Sequence, residues 1–221
     1  MSSFEIKQNS FTESIDGDRR INFFDLSLFL RSKILSIAMQ LFALQPIPQT
    51  PSVGCNKILL HPTEGVWGIG CNAKNNTAVE RVFDLKKRDK SKKFILLSPS
   101  IDSVKEFCLV SKEDTKILEK KWPGPTTFIL DRGSDKYKEL SYLDRHAVRV
   151  SAHKPITKLL DLFGSEIVST SANISGENEI NNKDDIVSFF NYEDVAIFDD
   201  SLGNLKKPTK IFDLKLKKYI R

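Results

Sequence analysis

The stretch that most constrains this chain is Lys57 to Gly70, KILLHPTEGVWGIG. It opens on a short apolar run, Ile58-Leu59-Leu60, which His61-Pro62-Thr63-Glu64 then cuts. An apolar run of this length, bounded by turn residues, reads as a strand buried on both faces. Pro62 has no N–H to give to a ladder, so the strand ends there. Thr63 and Glu64 are thereby left at the mouth of a sheet. Gly65, Gly68 and Gly70 come next, within six residues, and let backbone approach a ligand closely. The same residues also fit a strand followed by an ordinary glycine-rich loop, and this stretch by itself does not separate the two readings.

The 221 residues suffice for one domain with a full core, with room for an appendage. A hydrophobic content of 40% beside 29% charged residues describes a soluble globular chain. The formal charge of +5 is compatible with a nucleotide or RNA partner without demanding one. Cys55, Cys71 and Cys108 are odd in number and form no C-x-x-C pair, so a reducing, cytoplasmic setting is expected. His61, His146 and His153 show no HExxH or comparable spacing, and no metal site built from protein side chains is expected. Phe23 to Leu44 is apolar but broken by Asp25, Arg31 and Lys33, too interrupted to span a membrane and without a secretory cleavage pattern. It reads as one helix burying Leu28, Ile34, Ile37, Leu41 and Phe42, with a peripheral membrane helix as the alternative. Pro46, Pro48, Pro51 and Gly54 mark a linker. The expected division is an N-terminal extension over residues 1–50 and a main domain over 51–221.

Past the opening strand a helix is expected from Thr77, where Thr77 and Glu80 form a capping box. Ala78, Val79, Val82 and Phe83 make its buried stripe, with the stem of Lys86 at the edge. The helix runs into residues 86–93, KKRDKSKK, of which six in eight are cationic. Such a run is either a solvated face or a polyphosphate site. Strands are then expected over 94–97, 126–130, 147–150, 167–170, 195–198 and 209–214. Helices are expected over 101–110, from a Ser111/Asp114 cap to Trp122, over 155–163 closed by Gly164, and over 184–190. Arg149 lies inside one of these strands, where a charge requires a partner. The alternation makes an α/β domain around one twisted sheet.

Four separated signatures, HPTEGVWGIGC, LKKRDKSKKFILL, WPGPTTFIL with AVRV, and STSANISG, closely resemble the YrdC-like family of threonylcarbamoyl-AMP synthases in its short, single-domain bacterial form. The resemblance runs from Lys57 to Arg221. It implies an open, twisted mixed sheet with helices packed on it and a cationic concave face. It also implies an enzyme that joins L-threonine, bicarbonate and ATP into threonylcarbamoyl-AMP, releasing pyrophosphate. The product supplies the threonylcarbamoyl group placed on tRNA beside the anticodon, with partner proteins performing the transfer. Adenylyl transfer of this kind needs alignment and charge neutralisation more than a protein nucleophile, which suits a chain with no Ser-His-Asp or Cys-His constellation. Mg2+ is expected to arrive with ATP.

Residue by residue, the resemblance gives Lys86, Arg88 and Lys92 the ATP phosphates. Ser171 faces threonine and Asn173 the nucleotide. Arg149 grips the threonine carboxylate, and Thr209 supplies a nearby hydroxyl. Arg221 reaches ATP, and Arg145, just before AVRV, is a further nucleotide candidate. Thr63, Gly65 and Trp67 border threonine, while Glu64 is either a site residue or a structural cap. The sequence departs from the family pattern at Gly65, where many members carry Thr, and at Trp67, Asp89 and Leu97. Two competing readings are a non-catalytic protein that holds double-stranded RNA or tRNA, and a carbamoyl-handling module of a larger maturation factor. The chain lacks aromatic-interleaved basic motifs and fused zinc-finger or acylphosphatase-like segments, which weighs against both.

Overall fold

The structure, a computed structural model, describes residues 57–221 except Lys93, Asn181 and Lys206. The helix and linker expected over 23–44 and 45–56, with Cys55, lie outside the described residues.

Among the described residues nine strands form one open sheet. They are β1 (Ile58–Pro62), β2 (Trp67–Asn72), β3 (Ile95–Leu97), β4 (Thr126–Asp131), β5 (Arg145–Arg149), β6 (Ile167–Ser171), β7 (Val195–Ile197), β8 (Lys210–Asp213) and β9 (Lys218–Tyr219). Their spatial order is β7-β1-β2-β6-β3-β5-β4-β8-β9. The β7/β1, β3/β5 and β4/β8 pairs run parallel and the rest antiparallel, so the sheet is mixed. Five helices accompany it: α1 (Asn76–Leu85), α2 (Ile101–Lys105), α3 (Lys112–Glu119), α4 (Lys154–Phe163) and α5 (Lys183–Phe189).

β1 does end at Pro62, but the chain then turns back in a tight hairpin instead of entering a glycine-rich loop. Trp67, Ile69 and Cys71 alternate with Gly68 and Gly70 along β2, a period of two that the glycines had masked. β9 was also not anticipated, since Lys218 and Tyr219 carry no apolar alternation of their own. α1 is capped by Asn75, whose side chain accepts from the Ala78 amide at 3.0 Å, and not by Thr77. Glu80 is turned instead toward Lys90. The helix expected over 101–110 stops at Lys105. The Ser111/Asp114 capping box and the Gly164 cap stand as expected.

Strand alternation divides the core. Ile58, Leu60, Ile69, Leu96, Val148 and Val168 pack with α1, α2 and α3. Leu97 and Ile167 pack with Ile156, Leu159 and Leu160 of α4, with Leu59 and Ile95 at the margin. His61, Ser169, Ser171 and Arg149 share the parity of this second set. They therefore emerge on the α4 face, beyond the part that α4 covers.

Burial pushes both His61 and His146 down to about 4 from the ordinary 6.5. His146 stands edge-on to Phe107 at 5.5 Å, and neither ring nitrogen has a partner. The folded protein thus keeps both rings neutral where the unfolded chain binds protons. Their contribution is complete above pH 6.5 and drains as pH falls toward 4, by on the order of 3 kcal/mol for each ring. Urea unfolding of His146→Leu should show a shallower loss of stability between pH 7 and about 4.5 than the unaltered chain. Identical slopes would mean that His146 does not enter the fold neutral.

Candidate active site

Arg149 closes β5 and is 3% exposed. A guanidinium so deep requires compensation, and burial holds its pKa below the usual arginine range despite the opposing pull of Glu64. Two distant segments supply the compensation. Arg149 Nη1 donates to the Thr209 hydroxyl at 2.7 Å. Nη2 lies 3.2 Å from Glu64 Oε2, an ion pair out of line for a hydrogen bond. Nε has no acceptor. The Nε/Nη2 edge, which can take a carboxylate with two parallel bonds, is thus incompletely filled. Glu64 is fixed through its other oxygen, which accepts from Ser151 Oγ at 2.6 Å. The Thr209 carbonyl accepts from Arg221 Nε and Nη2 at 3.3 and 3.1 Å. Arg221 is thereby brought to the same place.

A second buried cation lies where α1 ends. Lys86, expected at the edge of a stripe, is 1% exposed. Its Nζ donates to the carbonyls of Ser171 and Asn173 and to Asn173 Oδ1, the latter two at 2.6 and 3.2 Å. Its own carbonyl accepts from the Ser175 amide at 2.9 Å. Ser171 Oγ donates to Asn173 Oδ1, and Asn173 Nδ2 to the Glu177 carbonyl. One lysine therefore holds the whole S-A-N-I-S turn in shape. Burial, and secondarily Arg88, lowers the Lys86 pKa to about 8. Lys87 takes a left-handed backbone (φ 48) and swings the chain outward. Arg88 donates to the Lys92 carbonyl at 2.6 Å and lies 5.4 Å from the Phe94 ring centre. Lys92 is exposed.

β1, β2 and β6 join the two clusters. His61 pairs with Gly68, Gly68 with Ser171, and His61 Nε2 lies 3.2 Å from Ser169 Oγ. Arg149 is near enough to depress the His61 pKa further. His61, Ser151 and Ser169 had no role among the expected site residues. Only the position of His61 inside the HPTE motif could have flagged it; nothing local marks the two serines. Thr63 spends its hydroxyl proton on the Val66 carbonyl at 2.6 Å, closing the hairpin turn. Trp67 is buried in the main core, and its carbonyl accepts from the Ala172 amide. Gly65 lies under Leu205 and Lys207: a Cβ there would come within 2.6 Å of their carbonyl oxygens. No side chain fits at Gly65 with those two residues in place. Arg145 stands at the other end of β5 from Arg149, with Nη1 and Nη2 on Asp213 at 2.7 and 2.6 Å and Nε 3.0 Å from Asp131. The structure does not bring it to either cluster. Among the described residues no group of three or more His, Cys, Asp or Glu could hold a metal ion.

An open mixed sheet with a buried arginine at the mouth of a proline-terminated hairpin places this chain among solved proteins of like fold. Sua5 of P. abyssi complexed with L-threonine superposes with a TM-score of 0.66 at 29% identity, over 72% of this chain and 48% of that one. This chain thus spans about half the length of that protein. E. coli YciO shares the fold, with a TM-score of 0.64 at 22% identity over 72% of this chain and 78% of that chain. Residues 54–221 match the family described as "Sua5_yciO_yrdC: Telomere recombination", and the chain belongs to that family. The threonylcarbamoyl-AMP synthase of Buchnera aphidicola subsp. Schizaphis graminum is 37% identical over 169 residues, covering 75% of this chain and 88% of the relative. The synthase of Aliivibrio fischeri is 33% identical over 168 residues, covering 74% and 91%.

Lys86 and Arg88, neighbours in sequence, should separate by stability. Lys86→Met strands two buried carbonyls and should cost about 2–4 kcal/mol in urea unfolding, whereas Arg88→Met should cost about 1 kcal/mol or less. Equal costs would refute the lysine-held turn.

Proposed function

We propose that this chain is an L-threonylcarbamoyladenylate synthase, joining L-threonine, bicarbonate and ATP to give threonylcarbamoyl-AMP and pyrophosphate. The observation that carries the reading is the incompletely filled Nε/Nη2 edge of Arg149, a nearly inaccessible cation with an unpartnered N–H. Burying a guanidinium and leaving part of it unbonded is costly, and a carboxylate ligand removes the cost. The amino-acid carboxylate would sit there, with the Thr209 hydroxyl holding the opposite Nη1 and keeping the fork aligned. Family relatives named threonylcarbamoyl-AMP synthase, and a threonine-bound Sua5, support that assignment of ligand.

The reaction divides into two steps. The threonine ammonium first loses a proton, the free amine condenses with bicarbonate to a carbamate as water leaves, and a carbamate oxygen then attacks the α-phosphorus of ATP while pyrophosphate leaves. Lys86, Arg88, Lys92 and Arg221 offset the triphosphate charge. Ser171 faces threonine and Asn173 the nucleotide, on a turn that Lys86 preorganises. Mg2+ comes as part of the ATP substrate. A carbamate decays in water, so the deep setting of Arg149 and Thr209 serves to keep solvent away. The product passes to threonylcarbamoyl-transferase proteins acting on tRNA in the cytoplasm, and direct contact with tRNA belongs to the same proposal. Retention of RNA without nucleotide turnover is the competing outcome.

The test is pyrophosphate release with ATP, L-threonine, bicarbonate and magnesium, each omitted in turn. Release should require all four, and release indifferent to threonine would overturn the reading. The pH profile adds a check. Free Lys86 loses its proton near pH 8, so kcat/KM for ATP should fall as pH rises through that value. A flat profile from pH 7 to 9 would remove Lys86 from the phosphate contacts.

A further inference from the structure

We propose that Glu64 is the second half of the amino-acid site: its Oε2 receives the substrate's amino group while Arg149 takes the carboxylate. The inference rests on the synthase reading and adds a residue to it. Two charged atoms with unfilled bonding capacity lie side by side at one buried point. Arg149 Nε is a donor with no acceptor, and Glu64 Oε2 is an acceptor with no hydrogen-bond donor. The ion pair between them is the 3.2 Å approach of Oε2 to Nη2, which is not aligned as a hydrogen bond. A ligand that brings both an acceptor and a donor completes both residues at once.

Charge restricts what that ligand is. Arg149 and Glu64 offset each other, with Arg221 close enough to act on Arg149. A simple carboxylate brought to this point would face the Glu64 carboxylate directly in a poorly solvated place, which is costly. A zwitterion adds no net charge and can set its ammonium against Glu64, and an α-amino acid carries its ammonium and carboxylate on neighbouring atoms, matched to two residues 3.2 Å apart. Once carboxylated, the nitrogen still carries an N–H that Oε2 can accept.

The carboxylate is also built to stay in place. Ser151 Oγ donates to Oε1 at 2.6 Å and itself accepts from the His153 amide at 3.0 Å, which leaves Oε2 as the free oxygen. The His153 ring lies 3.0 Å from the Ser201 carbonyl. The main chain is gripped as well: the Glu64 carbonyl accepts from the Leu205 amide and the Thr63 carbonyl from the Gly203 amide, both at 2.8 Å. A residue that merely neutralised Arg149 would use its carboxylate on the guanidinium in line, which Glu64 does not do.

The experiment is calorimetric titration, without ATP, of L-threonine and of its α-hydroxy analogue, in which a hydroxyl replaces the amine. Wild-type protein should prefer threonine by roughly tenfold or more. Glu64→Gln keeps the size of the side chain and should weaken threonine roughly 10- to 100-fold while changing the analogue less than about threefold, with ATP affinity unaltered. An equal loss for both ligands would show that Glu64 only holds Arg149, and an undiminished preference would show that it does not read the amine; either overturns the proposal. Should Glu64→Gln fail to fold, Ser151→Ala gives the same comparison, with a smaller loss confined to threonine expected and an equal loss overturning. A wild-type protein that binds no threonine would sink the synthase reading itself, which is a different result.

Discussion

The structure depends on the solvation of one guanidinium. Arg149 could not occupy the end of β5 alone, since an uncompensated charge at that depth costs several kcal/mol. Its partners come from residue 64, in the turn after β1, and from residue 209, just before β8. These segments flank opposite halves of the sheet. Meeting the charge therefore draws the β1–β2 hairpin and the start of β8 over the same spot, and a site assembled from three remote stretches is the result of one electrostatic demand.

Lys86 meets the same demand by another route. Among the described residues no carboxylate pairs with it; carbonyls and an amide oxygen accept its protons. Burial, and secondarily Arg88, lowers its pKa to about 8, while at Arg149 burial also lowers the pKa but Glu64 opposes it. The two cations differ in consequence. One is held charged next to a carboxylate with an edge open to a ligand, while the other gives a loop its form.

Elements that carry their own signal were legible in the sequence. The apolar runs at 58–60, 95–97 and 167–170 became strands, and the Ser111/Asp114 box and Gly164 bound helices as expected. Arg149 announced itself as a charge within a strand, because burial without a partner is improbable whatever the fold. β2 stayed hidden because its glycines removed half of its apolar alternation. The depth of Lys86 was hidden because a lysine at the end of an amphipathic helix reads equally well as solvated; only the distant turn at 171–175 gives it acceptors. Ser151 and His61 were unreadable for the same reason, since their partners, Glu64 and Ser169, are remote in the chain. Arg145 shows the converse: the family resemblance made it a nucleotide candidate, but the length of β5 carries it to the end away from Arg149, where Asp131 and Asp213 enclose it.

At the turn of the hairpin two glycines lie hard against remote backbone, Gly203 against Glu64 and Gly65 against Leu205 and Lys207. A Cβ on Gly203 would fall within 2.7 Å of the Glu64 Cα, carbonyl carbon and carbonyl oxygen, and Gly65 is overlain as tightly. The crossing beside Glu64 is thus set by main-chain atoms, which no point replacement can trim. Sequence drift can change the side chains around this crossing but not its backbone spacing. A wider spacing would have to come by insertion or deletion between β7 and β8, so loop length in that interval, more than residue identity, governs how closely this stretch lies on the turn that carries Glu64.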